Sequence, residues 1–299
     1  MSTRLDLLRP TLSLYRRPFT VFDFGSGVEG SVGADIAAAY PNAICVLAEK
    51  DPLRYTPPPN CMVLQRTMTP DILSALSQCE YFDVGLALNI LHWEGCNWPA
   101  FVTEILGDVQ FVQTPYPSDT TACGQELLGE IYSALVLGAD RIGETVQFEG
   151  HLPRPLFQIG KVRSTAQMLT RKTVTSERQY EVRGLLRISP NEVGVTIKLL
   201  HKGALAKWQS YIPGLTLSNF CELGGVWPDR ATITTALAAI PLHYNLAARP
   251  HGDITPWNIR FDCDRMWLID GYEGWGGSDY DNLNHTIDWV NEELKKWEI

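Results

Sequence analysis

Short apolar runs alternate with turn and helix signals through the first half of the chain. Phe19–Phe24 is a mostly apolar run of β-branched and aromatic residues, and a glycine-rich turn follows it directly. Ala34–Tyr40 is rich in alanine and stops at Pro41, as a helix does. Further apolar runs of strand length are Ala43–Ala48, Met62–Gln65, Tyr81–Trp93 and Val109–Thr114. This alternation predicts an α/β fold with a mostly parallel sheet and ligand sites at the carboxyl ends of its strands.

The second half has less regular patterns. Arg141–Lys161 holds two short strand-like pieces around a loop with Pro and Gly, which we interpret as the last strands of the first domain. We therefore predict a domain boundary near residue 162, with a first domain over residues 1–162 and a second over residues 163–299. No low-complexity linker separates them, so tight packing is expected. Leu283–Ile299 has apolar residues at helical spacing, which predicts a closing amphipathic helix that faces the core.

Composition narrows the classes of function. The 299 residues carry a net charge of -9, which argues against non-specific nucleic-acid binding because such binding needs clustered Lys and Arg. There is no run of about 18 apolar residues, so no transmembrane segment is expected, and the N-terminus lacks the apolar core of a secretory signal. The seven cysteines form no Cys-x-x-Cys pair. Reduced thiols in a cytoplasmic protein fit this pattern best.

The turn after the first strand indicates nucleotide binding. Gly25, Ser26 and Gly27 lie between a strand and a helix, an order in which glycines let a ligand approach the backbone. Glu49 ends the second strand about 20 residues later, where doubly wound folds place a carboxylate on the ribose. Gly30 completes a Gly-x-Gly-x-x-Gly string, so a dinucleotide site stays open. The alternative for Glu49 is that it merely faces solvent.

A resemblance to a known family follows from these residues. Asp23–Gly27, Glu49 and Phe82–Trp93 together resemble the class I S-adenosylmethionine-dependent methyltransferases. The resemblance implies a Rossmann-like domain whose glycine loop passes under the methionine moiety and whose acid holds the ribose. The cofactor contacts that it implies are Gly25, Ser26, Gly27, Glu49 and Asn89, with Arg66, Thr67 and Met68 as further candidates at the adenine edge.

His92 is a candidate catalytic residue of this first site. It follows the fourth strand, and a neutral imidazole can accept a proton from a substrate hydroxyl or phosphate near pH 7. In the alternative interpretation, His92 and Trp93 cap the strand and pack its loop.

A more specific motif lies near the end of the chain. Residues 251–258 read His-Gly-Asp-Ile-Thr-Pro-Trp-Asn, and an apolar run that follows ends in Asp270. Phosphoryl transfer needs a carboxylate that orients and deprotonates the acceptor hydroxyl, and oxygen ligands that hold magnesium against the nucleotide phosphates. The spacing of Asp253, Asn258 and Asp270 lets one loop and the next strand present all three side chains.

These residues resemble the aminoglycoside phosphotransferase and choline kinase branch of the protein-kinase-like superfamily. Tyr211–Phe220 is similar to that family's hinge, and Val193–His201 would be its fourth strand. The resemblance implies a small α+β domain in which Asp253 is catalytic and in which Asn258 and Asp270 bind the metal.

The lysine that steadies the nucleotide phosphates has two candidates. Lys172 would be the strand-three lysine, with Glu177 or Glu181 as its partner on a helix. Lys198 is disfavoured because the chain that follows it has neither an acid nor room for a helix.

The kinase-like half departs from the family at both ends. No glycine-rich loop precedes Lys172, and only 29 residues follow Asp270. A nucleotide-binding pseudokinase therefore stays open beside an active phosphotransferase. Asp279 and Asp281 are interpreted as local turn and helix-cap residues and not as ligands.

The order of the two domains is similar to that of the bifunctional methyltransferase–kinases that cap bacterial O-antigen polysaccharides. This resemblance implies S-adenosylmethionine at the first site, ATP and Mg²⁺ at the second, and a glycan end or small hydroxylated molecule as acceptor. One alternative is a non-catalytic structural or interaction module, with protein partners that cover the trimmed kinase lobe. Another is a methyltransferase whose inactive kinase lobe only positions the acceptor.

Overall fold

The computed structural model of the protein describes residues 3–80, 82–92, 108–119, 125–146, 152–162, 167–174, 180–187, 197–201, 204–208, 212–244, 246, 251–269 and 278–297, with the backbone alone between 167 and 208. The strands are β1 (Phe19–Phe24), β2 (Ala43–Glu49), β3 (Cys61–Gln65), β4 (Val84–Leu88), β5 (Val109–Gln113), β6 (Asp140–Thr145), β7 (Arg154–Gly160), β8 (Gln167–Val174), β9 (Tyr180–Arg187), β10 (Ile197–His201), β11 (Ala204–Trp208), β12 (Leu215–Thr216), β13 (Gly225–Trp227), β14 (Ile259–Phe261) and β15 (Met266–Leu268). The helices are α1 (Arg4–Leu12), α2 (Val32–Ala39), α3 (Pro70–Cys79), α4 (Gln125–Gly138), α5 (Leu217–Glu222), α6 (Arg230–Ala238), α7 (Ile240–Tyr244) and α8 (Asp279–Lys295), and a 3-10 turn spans Pro256–Asn258.

One mostly parallel sheet organises the molecule, in the strand order β13-β3-β2-β1-β4-β5-β7-β6. Strands β3, β2, β1, β4 and β5 run parallel, and helices α2 and α3 lie in the connections from β1 to β2 and from β3 to β4. Strand β7 is antiparallel to both β5 and β6, and β13 is antiparallel to β3. The predicted α/β fold with a mostly parallel sheet is confirmed, as are the five apolar runs as strands β1 to β5.

Both faces of the sheet are buried, as the continuous apolar runs of its strands require. On one face, Leu8 and Leu12 of α1 and Ile36 of α2 pack against side chains such as Leu47 and Phe111. The opposite face packs against α3 and α4 of the first half and against helices of the second half. The residues of this second core include Phe22, Val46, Leu64, Leu76, Ile131, Phe220, Leu237, Phe261 and Val290.

The second half contains small antiparallel units. Strand β8 pairs with β9 and β10 pairs with β11, so the predicted strand at Val193–His201 is confirmed over its last five residues, Ile197–His201. Strands β12, β14 and β15 form a three-stranded sheet. The closing helix is α8, which begins at Asp279, before the predicted start, and buries its apolar side as expected. Among the described residues, no helix combines the length and the apolar character needed to cross a bilayer.

The two halves share more than a surface contact. Strand β13 extends the first-half sheet beside β3, and the Gly214 N–H donates to Thr20 Oγ1 of β1 at 2.9 Å. Side chains of both halves belong to one hydrophobic core. The boundary near residue 162 stays a prediction, whereas residues 212–297 complete the packing of the sheet.

Gly214 gives a direct test of the close approach between the residue before β12 and the end of β14. Its φ is +94°, and a Cβ there would lie 2.0 Å from the carbonyl oxygen of Phe261. We expect Gly214→Ala to lower the free energy of unfolding by about 2–4 kcal/mol, through backbone strain and overlap. The matched control is Gly129→Ala in α4, where a Cβ meets open space and should stabilise by about 0.5–1 kcal/mol. Equal changes in the free energy of unfolding of the two variants, measured by urea unfolding, would contradict the close approach of Gly214 to the Phe261 carbonyl.

Candidate functional site

The glycine turn after β1 lies at the carboxyl edge of the sheet. Gly25 and Gly27 have φ of +68° and +91°, in the left-handed region that favours glycine. The N–H groups of Gly25 and Ser26 donate to the Ala48 carbonyl at the end of β2, at 3.0 and 3.2 Å. A Cβ at Gly25 would lie 2.8 Å from Ile90, so the turn packs against the segment after β4. The predicted glycine loop and the predicted segment beside Asn89 therefore lie together.

Glu49 is bonded to this turn and is not simply a solvent-facing acid. Its Oε2 accepts the Gly27 N–H at 2.9 Å, and its Oε1 accepts the Lys50 N–H at 2.9 Å. The carboxylate thus fixes the glycine loop against the end of β2. Oε1 also accepts the Asp51 N–H at 3.4 Å, so Oε2 is the oxygen that retains a lone pair for a ligand hydroxyl.

One buried polar atom of the glycine loop has no hydrogen-bond partner in the part of the chain that the structure describes. Ser26 is 8% exposed, and its Oγ finds no hydrogen bond among the described residues. Leaving a buried hydroxyl without a partner costs about 1–3 kcal/mol. A ligand that hydrogen-bonds this hydroxyl would remove that cost.

Asp23 anchors the other side of the loop. It is buried in β1, and its Oδ2 accepts the Gly33 N–H at the start of α2 at 2.9 Å. Burial raises the pKa of Asp23 to about 6, although the Gly33 hydrogen bond and the nearby Arg4 charge oppose the rise. The turn is therefore held at Gly27 and at Gly33 by two different carboxylates.

Asn89 belongs to a buried amide network. It has a φ of +64°, and its Nδ2 donates to Gln113 Oε1 at 3.0 Å. The same oxygen accepts Arg4 Nε at 2.7 Å, and Gln113 Nε2 donates to Thr145 Oγ1 at 2.8 Å. Sequence reasoning missed Arg4 and Gln113. Gln113 could have been found as a polar residue that ends a buried strand, but Arg4 lies in a helix without any motif.

The three candidates after β3 have different environments. Arg66 donates to the Glu222 carbonyl at 2.7 Å and lies over the Trp297 ring, so it links β3 to the second half. These contacts explain the position of the Arg66 side chain without any contact to an adenine ring. Thr67 is exposed, and Met68 is 7% exposed within the core. The cofactor roles of Thr67 and Met68 stay predictions.

His92 lies beside two buried charged groups. It is 3% exposed, and Arg154 and Asp119 are its charged neighbours, 3.8 Å apart from each other. Burial and then the Arg154 charge lower the pKa of His92 to about 4, while Asp119 raises it. The imidazole is therefore neutral at pH 7, as the general-base hypothesis needs, but it is a weak base there.

The second predicted site keeps Asp253 and Asn258 together. The 3-10 turn begins at Pro256 and brings Asn258 back toward Asp253, and Asn258 Nδ2 donates to Asp253 Oδ2 at 2.7 Å. The Asn258 carbonyl accepts the N–H of Ile269, which precedes Asp270, at 2.8 Å. Asp270 itself lies outside the described residues. Within the described ranges, no group of three or more His, Cys, Asp or Glu side chains could hold a metal ion, and the predicted metal site stays a prediction.

Asp279 has a role that the sequence interpretation did not give it. Its two oxygens accept the N–H groups of His251 and Gly252 at 2.6 and 2.7 Å, although α8 begins at Asp279 itself. Interpreting it as a purely local cap was wrong, because the carboxylate reaches a loop that lies 27 residues away. Burial lowers the pKa of His251, and the Asp279 and Asp253 charges oppose that change.

The backbone between 167 and 208 corrects one assignment. Glu181 lies in β9, opposite Thr173 of β8, so the expectation that it sits on a helix was wrong. The pairing of β8 with β9 places Lys172 opposite Val182. Glu177 lies outside the described residues. Lys198 lies in β10, paired with Lys207 of β11.

Of the two reasons given against Lys198, the lack of a following acid does not apply to Lys172, which Glu177 and Glu181 follow. Both lysines lie in strands that pair with the next described strand. The choice of Lys172 over Lys198 stays a prediction.

Comparisons with known proteins add a distant similarity. No family model matches the sequence, and no curated protein matches it. A medium-resolution structure of the bifunctional kinase-methyltransferase WbdD matches with 14% identity and a TM-score of 0.39, over 97% of this chain and 80% of that chain. A low-resolution structure of WbdD matches with 14% identity and a TM-score of 0.41, over 96% and 72% of the two chains. Similarity at this level assigns no role to any residue of this chain.

The lowered pKa of His92 predicts a pH dependence of stability. Between pH 6.5 and about 4, His92 binds a proton in the unfolded chain but not in the folded protein. The contribution of neutral His92 to the free energy of unfolding is therefore complete above pH 6.5 and is lost as the pH falls. We expect His92→Gln to reduce the loss of unfolding free energy between pH 7 and pH 4.5. The exposed His285 on α8 supplies the control variant His285→Gln, and parallel pH profiles for wild type and His92→Gln would refute the burial effect.

Proposed function

We propose that this chain is a two-site transferase. Residues 1–162 form an S-adenosylmethionine-dependent methyltransferase, and residues 163–299 supply a coupled phosphotransferase site that uses ATP and Mg²⁺. The acceptor is a glycan end or a small hydroxylated molecule, the class implied by the resemblance to the O-antigen-capping enzymes. The observation that carries the proposal is the glycine loop, with Glu49 bonded to Gly27 beside the buried, unsatisfied hydroxyl of Ser26 in the described part of the chain.

The loop geometry fits an adenosyl ligand. The positive φ of Gly25 and Gly27 shapes a tight turn, and Ser26 Oγ in that turn offers a hydrogen bond. Glu49 binds a ribose hydroxyl through Oε2, which accepts only the Gly27 N–H among the described residues. When bound, S-adenosylmethionine supplies an electrophilic methyl group.

Strand order favours this cofactor over a dinucleotide. Dinucleotide-binding sheets have the order 3-2-1-4-5-6, with the sixth strand beside the fifth. Here the reversed β7 lies between β5 and β6. The sheet therefore departs from the dinucleotide-binding order, which disfavours the dinucleotide alternative.

The acceptor side of the first site carries positive charge. Arg4 reaches Gln113, which also binds Asn89, and burial lowers the pKa of Arg4. The Asp23 charge opposes that lowering, and an anionic acceptor group would add a second negative partner for this half-buried guanidinium. A phosphate that is already ionised needs no general base, which suits the weak basicity of His92. A phosphorylated glycan end, the product of the second site, meets both conditions.

The second site is arranged for phosphoryl transfer. Asp253 would orient the acceptor hydroxyl and accept its proton, while Asn258 and Asp270 would present oxygen ligands to Mg²⁺. The Asn258 amide nitrogen donates to Asp253, and this leaves the amide oxygen for the metal. Lys172 is proposed to contact the phosphates, with Glu181 no longer its helix partner. Bound Mg²⁺ and ATP supply the transferable phosphoryl group and the charge that neutralises it.

Calorimetric titration with S-adenosylmethionine tests the first site. We expect Glu49→Gln to raise the dissociation constant about tenfold or more, because a charged hydrogen-bond acceptor for the ribose is lost. Glu130→Gln on the exposed side of α4 serves as the matched control and should bind as wild type does. If wild type gives no heat with this ligand, the first site is not a methyltransferase and the interaction-module alternative gains support.

Mg·ATP tests the second site in two steps. We expect wild type to bind Mg·ATP, and Asp253→Asn to retain binding within about threefold while ATP turnover with acceptor or water falls about 100-fold or more, since general-base catalysis contributes that much. Asp264→Asn, at the exposed turn between β14 and β15, is the control. Wild-type binding without any turnover that depends on Asp253 would identify a pseudokinase.

A further inference from the structure

Glu80 joins the two halves from the end of α3. Its side chain is fully buried, and its Oε1 accepts Thr216 N at 2.8 Å, Thr216 Oγ1 at 2.9 Å and Asn219 Nδ2 at 2.7 Å. Thr216 is the residue that caps the start of α5. One carboxylate oxygen of the first half therefore fixes where a helix of the second half begins.

The other oxygen of Glu80 binds Arg260 of β14. Glu80 Oε2 lies 2.8 Å from Arg260 Nη1. Arg260 Nε donates to the Ile212 carbonyl at 2.9 Å, and Arg260 Nη2 donates to the Gly214 carbonyl at 2.5 Å. Each guanidinium nitrogen thus has a different acceptor, and this planar fork tolerates little displacement.

Arg260 is two residues away from Asn258. Its strand pairs with β15 in the register Arg260↔Trp267, and the Asn258 carbonyl accepts the Ile269 N–H in the same ladder. Asn258 in turn bonds Asp253. Any shift of Arg260 along β14 is therefore transmitted to both described residues of the phosphoryl-transfer motif.

We propose that Glu80 is a positioning residue for the phosphoryl-transfer loop, so that a carboxylate of the methyltransferase half sets the geometry of the second site. The inference rests on the proposed function of that site. Glu80 acts through Arg260 and touches no substrate. Removing its charge would leave Arg260 without its carboxylate partner and would loosen the register of β14.

The test separates positioning from folding by calorimetry on the full chain. Glu80→Gln and Arg260→Lys are titrated with Mg·ATP and, separately, with S-adenosylmethionine. We expect the dissociation constant of Mg·ATP to rise about 10- to 100-fold, the usual effect of losing a residue that orients metal ligands, with unchanged stoichiometry. The dissociation constant of S-adenosylmethionine should stay within about twofold. Glu222→Gln, whose carboxylate accepts only Ser218 Oγ among its described contacts, is the control from the same junction.

Each other outcome overturns the inference. If Glu80 only stabilises the fold, the stoichiometry of both ligands and the melting temperature fall while the dissociation constants of the folded fraction stay at wild-type values. If Glu80→Gln does not fold, Arg260→Lys decides, because it keeps the charge beside Glu80 and loses the fork to Ile212 and Gly214. If both variants bind Mg·ATP with the wild-type dissociation constant, the positioning role is refuted but the second site is not. If the wild type itself does not bind Mg·ATP, the second site is refuted.

Discussion

A parallel sheet must be covered on both faces, and this constraint determines how the whole chain is arranged. Helices α1 and α2 cover one face, whereas the other is covered jointly by α3, α4 and residues of the second half such as Phe220 and Val290. The second half is therefore part of the core of the first. A loop such as 251–258, which would be mobile at the surface of a separate lobe, is attached to elements that pack on this sheet.

Both candidate sites use the same device to hold their turns. A carboxylate from a distant segment accepts backbone N–H groups: Glu49 accepts from Gly27, and Asp279 accepts from His251 and Gly252. Hydrogen bonds to an ionised acceptor are the stronger kind, and backbone amides cannot rotate away from them. Each turn is thus fixed by a carboxylate from a distant segment. Side-chain and backbone groups held in this way are preorganised, whichever ligand they meet.

Sequence patterns predicted what depends on neighbouring residues and failed where partners lie far apart. The apolar runs gave β1 to β5, and the glycine turn and the Asp253–Asn258 loop formed as the motifs implied. Arg4 meets Gln113 across 109 positions, and Arg260 meets Glu80 across 180, so no local spacing reveals either pair. Glu181 was placed on a helix because the family has one there, but its alternating segment pairs as a strand.

The buried Glu80–Arg260 pair is better understood through geometry than through stability. Removing two charges from water costs most of what their attraction returns, so a buried ion pair adds little net stability over apolar side chains of the same size. The apolar core that both halves share already supplies the burial that holds them together. What apolar packing cannot supply is a unique register for β14, and the three directed hydrogen bonds of Arg260 do so. A chain that needed only cohesion between its halves would not need this fork, whereas one that must hold Asn258 against Asp253 does.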